Sequence, residues 1–250
     1  MGCLSTGFIA IFGGEYCICM KTITDTDQDF ICDIQAPCFQ LLSKEEVKLV
    51  RNSKTQVLFR KGDTLTKQGA FASYILFLIN GVVKQYIEGS DNRSFNLRII
   101  QAGDFIGLSS VFSKNTYTYS TSALTDCQVL LIGKDSLSEI IQGNGSFSFH
   151  LIQRYCAQNA DLHEVLHDQQ FKQMHGRLAA SLLYLNALKS NLPTIFQLMT
   201  RKDLADFAGI STESTVKLLK NFEKDGLIEL LEKDIFLQDL DRLKEIQRRG

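Results

Sequence analysis

Two histidines one helical turn apart have the most specific catalytic spacing in this sequence. The run His163-Glu164-Val165-Leu166-His167 would place both imidazoles on one helix face to bind Zn²⁺, with the glutamate as general base of a peptidase. The extended form of this motif needs a glycine and a third histidine, where the chain has Gln170 and Gln173. We interpret these residues as surface and seam positions of a helix. A zinc-dependent peptidase and a metal bridge between the two histidines remain alternatives.

A group of N-terminal cysteines is a second candidate for metal chemistry. Thiolates hold zinc and iron–sulfur clusters, so this group suits either, with plain or redox-sensitive thiols as the alternative. The uneven spacing of the seven cysteines does not suit the disulfide framework of a small secreted domain. The group consists of Cys17, Cys19, Cys32 and Cys38.

A helix near the C-terminus has two faces that suit a DNA groove. A helix in the major groove packs one face on its own domain and offers the other to base edges and phosphates. Spacing of i, i+3, i+4 and i+7 predicts that the packed face is Thr215, Leu218, Leu219 and Phe222. The opposite face carries Glu213, Lys217, Lys220 and Lys224.

The outward residues of this helix have the chemistry to read bases. Glu213 can accept from a cytosine amino group, Lys217 can donate to guanine, and Val216 can contact a thymine methyl group. Side chains near helix N-termini commonly hold phosphate. The predicted phosphate contacts are Thr200, Arg201, Lys202, Ser211, Ser214, Lys220 and Lys233.

A helix-turn-helix followed by a hairpin is predicted to position these residues. The pattern predicts helices over 201–208 and 212–225, then strands over 227–231 and 235–237. Ser211 suits an N-cap, and Gly226 suits the left-handed residue after a helix. We therefore expect a winged-helix DNA-binding domain over 173–250.

One long helix is predicted upstream, over 146–172. Residues 147–171 contain no Pro or Gly and predict a helix about 37 Å long. One stripe along it steps by three and four residues, as a coiled-coil seam does, so we expect dimerisation there. The polar members either fix the register or are solvated. The predicted seam is Ile152, Cys156, Asn159, His163 and Leu166.

The pattern of residues 41–145 predicts an antiparallel β-roll. Short β-rich runs alternate with Gly-, Asn- and Asp-containing turns, which supply the positive φ of tight hairpins. A cysteine-containing arm, 1–40, precedes the roll. The expected fold class is α+β, with the roll, the dimerisation helix and the winged helix-turn-helix in that order.

The composition fits a soluble globular protein of one or two domains. The chain has 250 residues, of which 44% are hydrophobic and 22% charged, and its net charge is -1. No chain-wide positive field exists, so contact with a polyanion depends on a local patch. The sequence contains no apolar run that would span a bilayer. We expect a cytoplasmic protein with no membrane partner.

The order of roll, long helix and winged helix resembles the CRP/FNR superfamily of bacterial transcription regulators. The resemblance implies a non-enzymatic homodimer that reads a palindromic promoter site in double-stranded DNA, with RNA polymerase as a partner. Glu213 matches the family's base-reading glutamate, and Thr212 and Lys217 occupy positions that govern sequence choice. Lys217 replaces the usual arginine, which loosens guanine discrimination. The matching runs are 59–63, 79–81, 103–107 and 199–214.

The same resemblance places an effector pocket at Gly107, Leu108, Ser109, Tyr117 and Thr118. In the cyclic-AMP-binding branch, a glutamate after the glycine holds the ribose and an Arg-Ser pair holds the phosphate. Here Leu108 and the pair Tyr117-Thr118 occupy those places. Burying the sugar and phosphate without partners is costly. We therefore expect an effector or redox signal other than cyclic AMP.

The oxygen-sensing branch of the family holds an iron–sulfur cluster with a Cys-x2-Cys-x5-Cys run and one cysteine in the roll. Cys32 and Cys38 match the last two members of the run, but Asp29 precedes them and the roll position is Leu130. Cys127 lies three residues earlier, so on a strand it faces the opposite way. A cluster or zinc site, and hence a metal or redox sensor, stays an alternative.

Overall fold

The computed structural model describes residues 21–23, 39–91, 93–113 and 115–250. These residues divide into two compact units. One runs up to Glu88 and includes Arg98–Ala157, and the other combines Gly89–Leu97 with Gln158–Gly250.

Strands β1 to β9 form two antiparallel sheets, which confirms the predicted roll. The sheet orders are β1-β2-β9-β4-β7 and β3-β8-β5-β6, and β10 pairs with β11 as a separate hairpin. The strands are β1 (Lys21–Ile23), β2 (Lys54–Phe59), β3 (Thr64–Thr66), β4 (Tyr74–Asn80), β5 (Val82–Glu88), β6 (Ser94–Gln101), β7 (Phe105–Ile106), β8 (Ser120–Ala123), β9 (Cys127–Gly133), β10 (Ile228–Leu231) and β11 (Asp234–Leu237).

The helices fall in the expected order, with additions that the sequence reading missed. Helices α2, α5 and α8 were not predicted. The helices are α1 (Lys44–Ser53), α2 (Lys134–Gly143), α3 (Gly145–Phe171), α4 (Met174–Ala187), α5 (Ile195–Leu198), α6 (Arg201–Ala208), α7 (Thr212–Lys224) and α8 (Leu240–Arg249).

Several glycine turns that were predicted as hairpins are corners between the two sheets. Gly81 joins β4 to β5, and these strands belong to different sheets. A Cβ on Gly81 would lie 2.6 Å from both the Asp126 carbonyl oxygen and the Cys127 Sγ, so only glycine fits this corner. The turns at Gly62 and Gly103 also pass between sheets, whereas the connection from β5 to β6 joins neighbours.

Strand β9 separates two hydrophobic clusters. Cys127, Val129 and Leu131 face an interior cluster that draws on both sheets. Leu130 and Ile132 face the opposite cluster, where α1, α2 and the first turns of α3 pack. Each fully buried aliphatic side chain of this kind contributes about 1.5–3 kcal/mol. The predicted opposite facing of Cys127 and Leu130 is confirmed.

Helix α3 is largely uncovered in the single chain. Its 27 residues span about 40 Å at 1.5 Å each. Within it, Phe147 and Leu151 are buried. Large apolar side chains on the rest of the helix face solvent, namely Phe149, Ile152, Tyr155, Leu162, Leu166 and Phe171.

Helix α8 belongs to the second unit and follows the β10–β11 hairpin, which is the predicted wing. Asp239 begins it, because its Oδ1 accepts from the Arg242 backbone N–H at 3.0 Å. Leu243 is fully buried. The helix packs along α4, where Gly176 lies directly against Gly250. The wing is thus followed by a helix that packs on α4.

Candidate functional site

The first helix of the helix-turn-helix begins with a reciprocal cap. The Thr200 hydroxyl accepts from the Asp203 backbone N–H at 3.0 Å, and the Asp203 carboxylate accepts from the Thr200 N–H at 2.9 Å. This capping box satisfies two donors that the helix itself leaves free. It fixes where α6 starts, as the sequence predicted.

The turn between the two helices depends on a glycine. Gly209 adopts φ 61° and ψ 39° as the C-cap of α6, a left-handed conformation that glycine enters at least cost. The Ile210 N–H returns to the Ala205 carbonyl at 3.1 Å. Ser211 then caps α7, because its Oγ accepts from the Ser214 N–H at 3.1 Å.

Helix α7 has the two faces predicted for it. The four residues of the predicted packed face are buried, and the Thr215 hydroxyl is satisfied by the Ser211 carbonyl at 3.0 Å. On the other face, Glu213 and Lys217 are exposed and Val216 is half-buried. The predicted base readers line one open depression, formed by Thr212, Glu213, Val216 and Lys217.

The predicted phosphate contacts differ in exposure and in whether they already have a bonding partner. The Lys202 ammonium already pairs with Asp206 at 2.8 Å. The hydroxyls of Thr200 and Ser211 serve as helix caps. Lys220 and Lys233 are exposed and make no ion pair with any described residue. Arg201 and Ser214 are half-buried at the starts of their helices.

In the predicted effector region an aromatic ring packs directly against Gly107. Gly107 has φ 80°, and a Cβ there would lie 2.6 Å from the Tyr117 Cε1. The Tyr117 hydroxyl donates to the Tyr74 carbonyl at 2.8 Å, and burial raises its pKa. Leu108 begins a short 3-10 turn that includes Ser109. Thr118, next to Tyr117 in the chain, is exposed.

Sequence reasoning missed a polar cluster beside this region. The Tyr119 hydroxyl accepts from the Gly107 N–H at 2.9 Å, and burial raises its pKa. Asp104 binds two guanidinium groups, that of Arg98 at 3.4 Å and that of Arg154 on α3. The Gly-Asp corner marks Asp104 in the sequence, but nothing local to Arg98 or Arg154 indicates that they converge.

The candidate metal residues do not assemble in the described part of the chain. Cys17, Cys19, Cys32 and Cys38 lie outside it. Within it, no three His, Cys, Asp or Glu side chains form a metal-binding group. His163 and His167 are exposed on α3. Burial raises the pKa of Cys127, whose Sγ donates to the Thr125 carbonyl at 3.2 Å, so this residue is a thiol of the roll core.

The fold and this surface define a regulator class: an effector-type roll joined through a long helix to a winged helix-turn-helix. Residues 56–144 match the family model of the cyclic nucleotide-binding domain, and residues 176–246 match that of the Crp-like helix-turn-helix domain. Among the described residues, no helix has the length and apolar character that crossing a membrane requires.

Known regulatory proteins are similar to this chain along most of its length. An anaerobic regulatory protein of Bacillus subtilis is 25% identical over 210 residues, which cover 82% of this chain and 88% of the relative. A CRP-like cAMP-activated global transcriptional regulator of Mycobacterium tuberculosis is 24% identical over 213 residues, 84% of this chain and 95% of the relative.

A solved structure agrees in fold. FixK2 from Bradyrhizobium japonicum has a TM-score of 0.68 at 20% identity, covering 79% of this chain and 98% of that one. The chain belongs to the CRP/FNR superfamily of transcription regulators. The two curated relatives are regulatory proteins rather than enzymes, which confirms the non-enzymatic interpretation and leaves the peptidase alternative without support.

Proposed function

We propose that the protein is a homodimeric, sequence-specific DNA-binding regulator that reads a palindromic site and responds to a signal other than cyclic AMP. The observation that carries this proposal is the two-faced helix α7. Its apolar stripe is buried, and its charged face is open to solvent. A major-groove helix needs this arrangement.

The depression on α7 holds the proposed base readers. Glu213 accepts a hydrogen bond from a cytosine amino group, Lys217 donates to guanine, and Val216 contacts a thymine methyl group. Thr212 lies at the helix start beside them. Lys220 and Lys233 are unpaired among the described residues and are the best-placed phosphate contacts. Lys202 would bind a phosphate only if its ammonium group gave up the ion pair with Asp206.

The open stripe on α3 supports dimerisation through this helix. Ile152 and Leu166 are each 58% exposed, and Cys156, Asn159 and His163 on the same stripe are exposed as well. An uncovered apolar stripe of this kind normally marks an interaction surface. A second copy packed along it would hold two recognition helices at a fixed separation, which a palindromic site matches.

Cyclic AMP does not fit the residues of the roll. Leu108 replaces the carboxylate that would hold the ribose, and the Tyr117 ring packs on Gly107 in place of a phosphate-binding guanidinium. The effector is therefore a different molecule or a redox signal. We propose that the protein acts in the cytoplasm and contacts RNA polymerase at the promoter.

Selection of DNA by the purified chain tests this proposal. The wild-type protein should enrich a palindromic duplex from a random-sequence pool. Glu213→Ala should weaken binding to that duplex by about 1–3 kcal/mol and relax one base-pair preference, whereas Lys220→Ala should weaken all sequences evenly. Glu139→Ala, an exposed glutamate on α2, is the matched control. Equal losses on selected and random DNA for Glu213→Ala would contradict its base-reading role.

A further inference from the structure

The last turn of α3 touches the turn of the helix-turn-helix through one side chain. The Gln169 carboxamide lies against Gly209: a Cβ on that glycine would be 3.1 Å from the Gln169 Cδ and 3.4 Å from its Nε2, with Oε1 closer still. Both residues belong to the same compact unit. Gln169 thus occupies the space that any larger residue at 209 would need.

Arg177 of α4 holds that carboxamide in place. Its Nη1 donates to the Gln169 Oε1 at 3.1 Å. The Arg177 Nε is buried without a hydrogen-bond partner among the described residues. Leaving a buried donor unpaired is unfavourable, so the bond to Gln169 is one of the contacts that hold this guanidinium here.

Gly209 is the point at which the direction of α7 is set. It ends α6 in the left-handed conformation, and the next residue returns to the Ala205 carbonyl. Ser211 starts α7 two residues later. Because the turn is short, a shift at Gly209 reorients the side chains that face DNA.

We propose that Gln169 is a positioning residue for DNA recognition, whose carboxamide, held by Arg177, ties the end of α3 to the turn before α7. The residue touches no DNA. Through it, a change along α3 reaches α7 without passing through the packed core of the unit. This inference rests on the proposed function, because its readout is sequence-specific binding.

Gln169→Ala against Gln170→Ala is the direct test, since Gln170 is its exposed neighbour. The probes are the duplex enriched by the wild-type chain and a random duplex of equal length. We expect Gln169→Ala to lose about 5- to 50-fold on the enriched duplex and to keep the wild-type affinity for random DNA, even though removing the acceptor of Arg177 lowers the melting temperature. Gln169→Glu keeps an oxygen for Arg177 and should stay within about threefold of wild type.

A double-mutant comparison with Gly209→Ala supplies a second test. The added Cβ meets Gln169, so its effect on the enriched duplex should be smaller in the Gln169→Ala background than in the wild-type background. Two results overturn the inference: equal behaviour of the 169 and 170 variants, or a loss on both duplexes that tracks melting temperature. A wild-type chain that enriches no duplex instead overturns the proposed function itself.

Discussion

Replacing Gly107 with alanine should destabilise the roll by about 2–5 kcal/mol. An alanine in the left-handed region costs about 1–2 kcal/mol. Its Cβ would also lie 2.6 Å from the Tyr117 Cε1 and 3.0 Å from its Cδ1. Tyr117 is 4% exposed and tethered to the Tyr74 carbonyl, so the ring yields poorly, and overpacking of this kind adds about 1–3 kcal/mol.

Gly103→Ala is the matched control for this change. Gly103 also has a positive φ, 92°, but no atom lies within 4 Å of its added Cβ. It should therefore lose only the backbone term, about 1–2 kcal/mol. Urea unfolding, followed by far-UV circular dichroism and tyrosine fluorescence, gives both differences if the m-values agree. The chain contains no tryptophan to obscure the tyrosine signal.

The result that would refute this reasoning is an equal loss for the two alanine variants. It would mean that the Tyr117 ring does not close the space at Gly107. A double variant, Gly107→Ala with Tyr117→Leu, separates the terms further. Because the leucine removes the ring atoms that the Cβ meets, the combined loss should be smaller than the sum of the single losses.

Three further predictions concern other parts of the chain. Thr200→Ala removes the cap of α6 and should lower the free energy of unfolding by about 1 kcal/mol, measured by urea unfolding; no change would contradict the capping geometry. Ile152→Asp places a charge on the open stripe of α3 and should give a folded monomer in sedimentation equilibrium, whereas a persistent dimer would place the interface elsewhere. Burial raises the pKa of Glu88, but hydrogen bonds from Lys67 and Ser120 outweigh this effect and hold that pKa below its ordinary value of 4.5. Stability from this carboxylate is present above that pH and lost as the pH falls through the folded value, so Glu88→Gln should be less stable than wild type at neutral pH and equal to it in acid; a constant difference would contradict the assignment.

The helix-turn-helix was predictable because its signals are local. Thr200 and Asp203 form a capping box four residues long, and the stripe from Thr215 to Phe222 repeats at helical spacing. Local capping and periodicity fixed the observed bounds of α6 and the packed face of α7. Helix α8 carried a similar signal, since Asp239 precedes leucines three residues apart, but the interpretation ended at the wing.

The sheet pairing was not predictable from the same kind of signal. An Asn-Gly turn serves both a hairpin between neighbours and a corner between sheets, and the strand pairing in the structure identifies the turn at Gly81 as a corner. The cluster around Asp104 is harder still. Its guanidinium groups come from β6 and α3, more than 50 residues apart, and only tertiary packing brings them together.

Strand β9 separates two hydrophobic compartments of the roll. Val129 and Leu130 are adjacent in the chain, yet they belong to separate compartments. A substitution on the helix side therefore acts first on the packing of that compartment, and it reaches the chamber between the sheets through the backbone of β9.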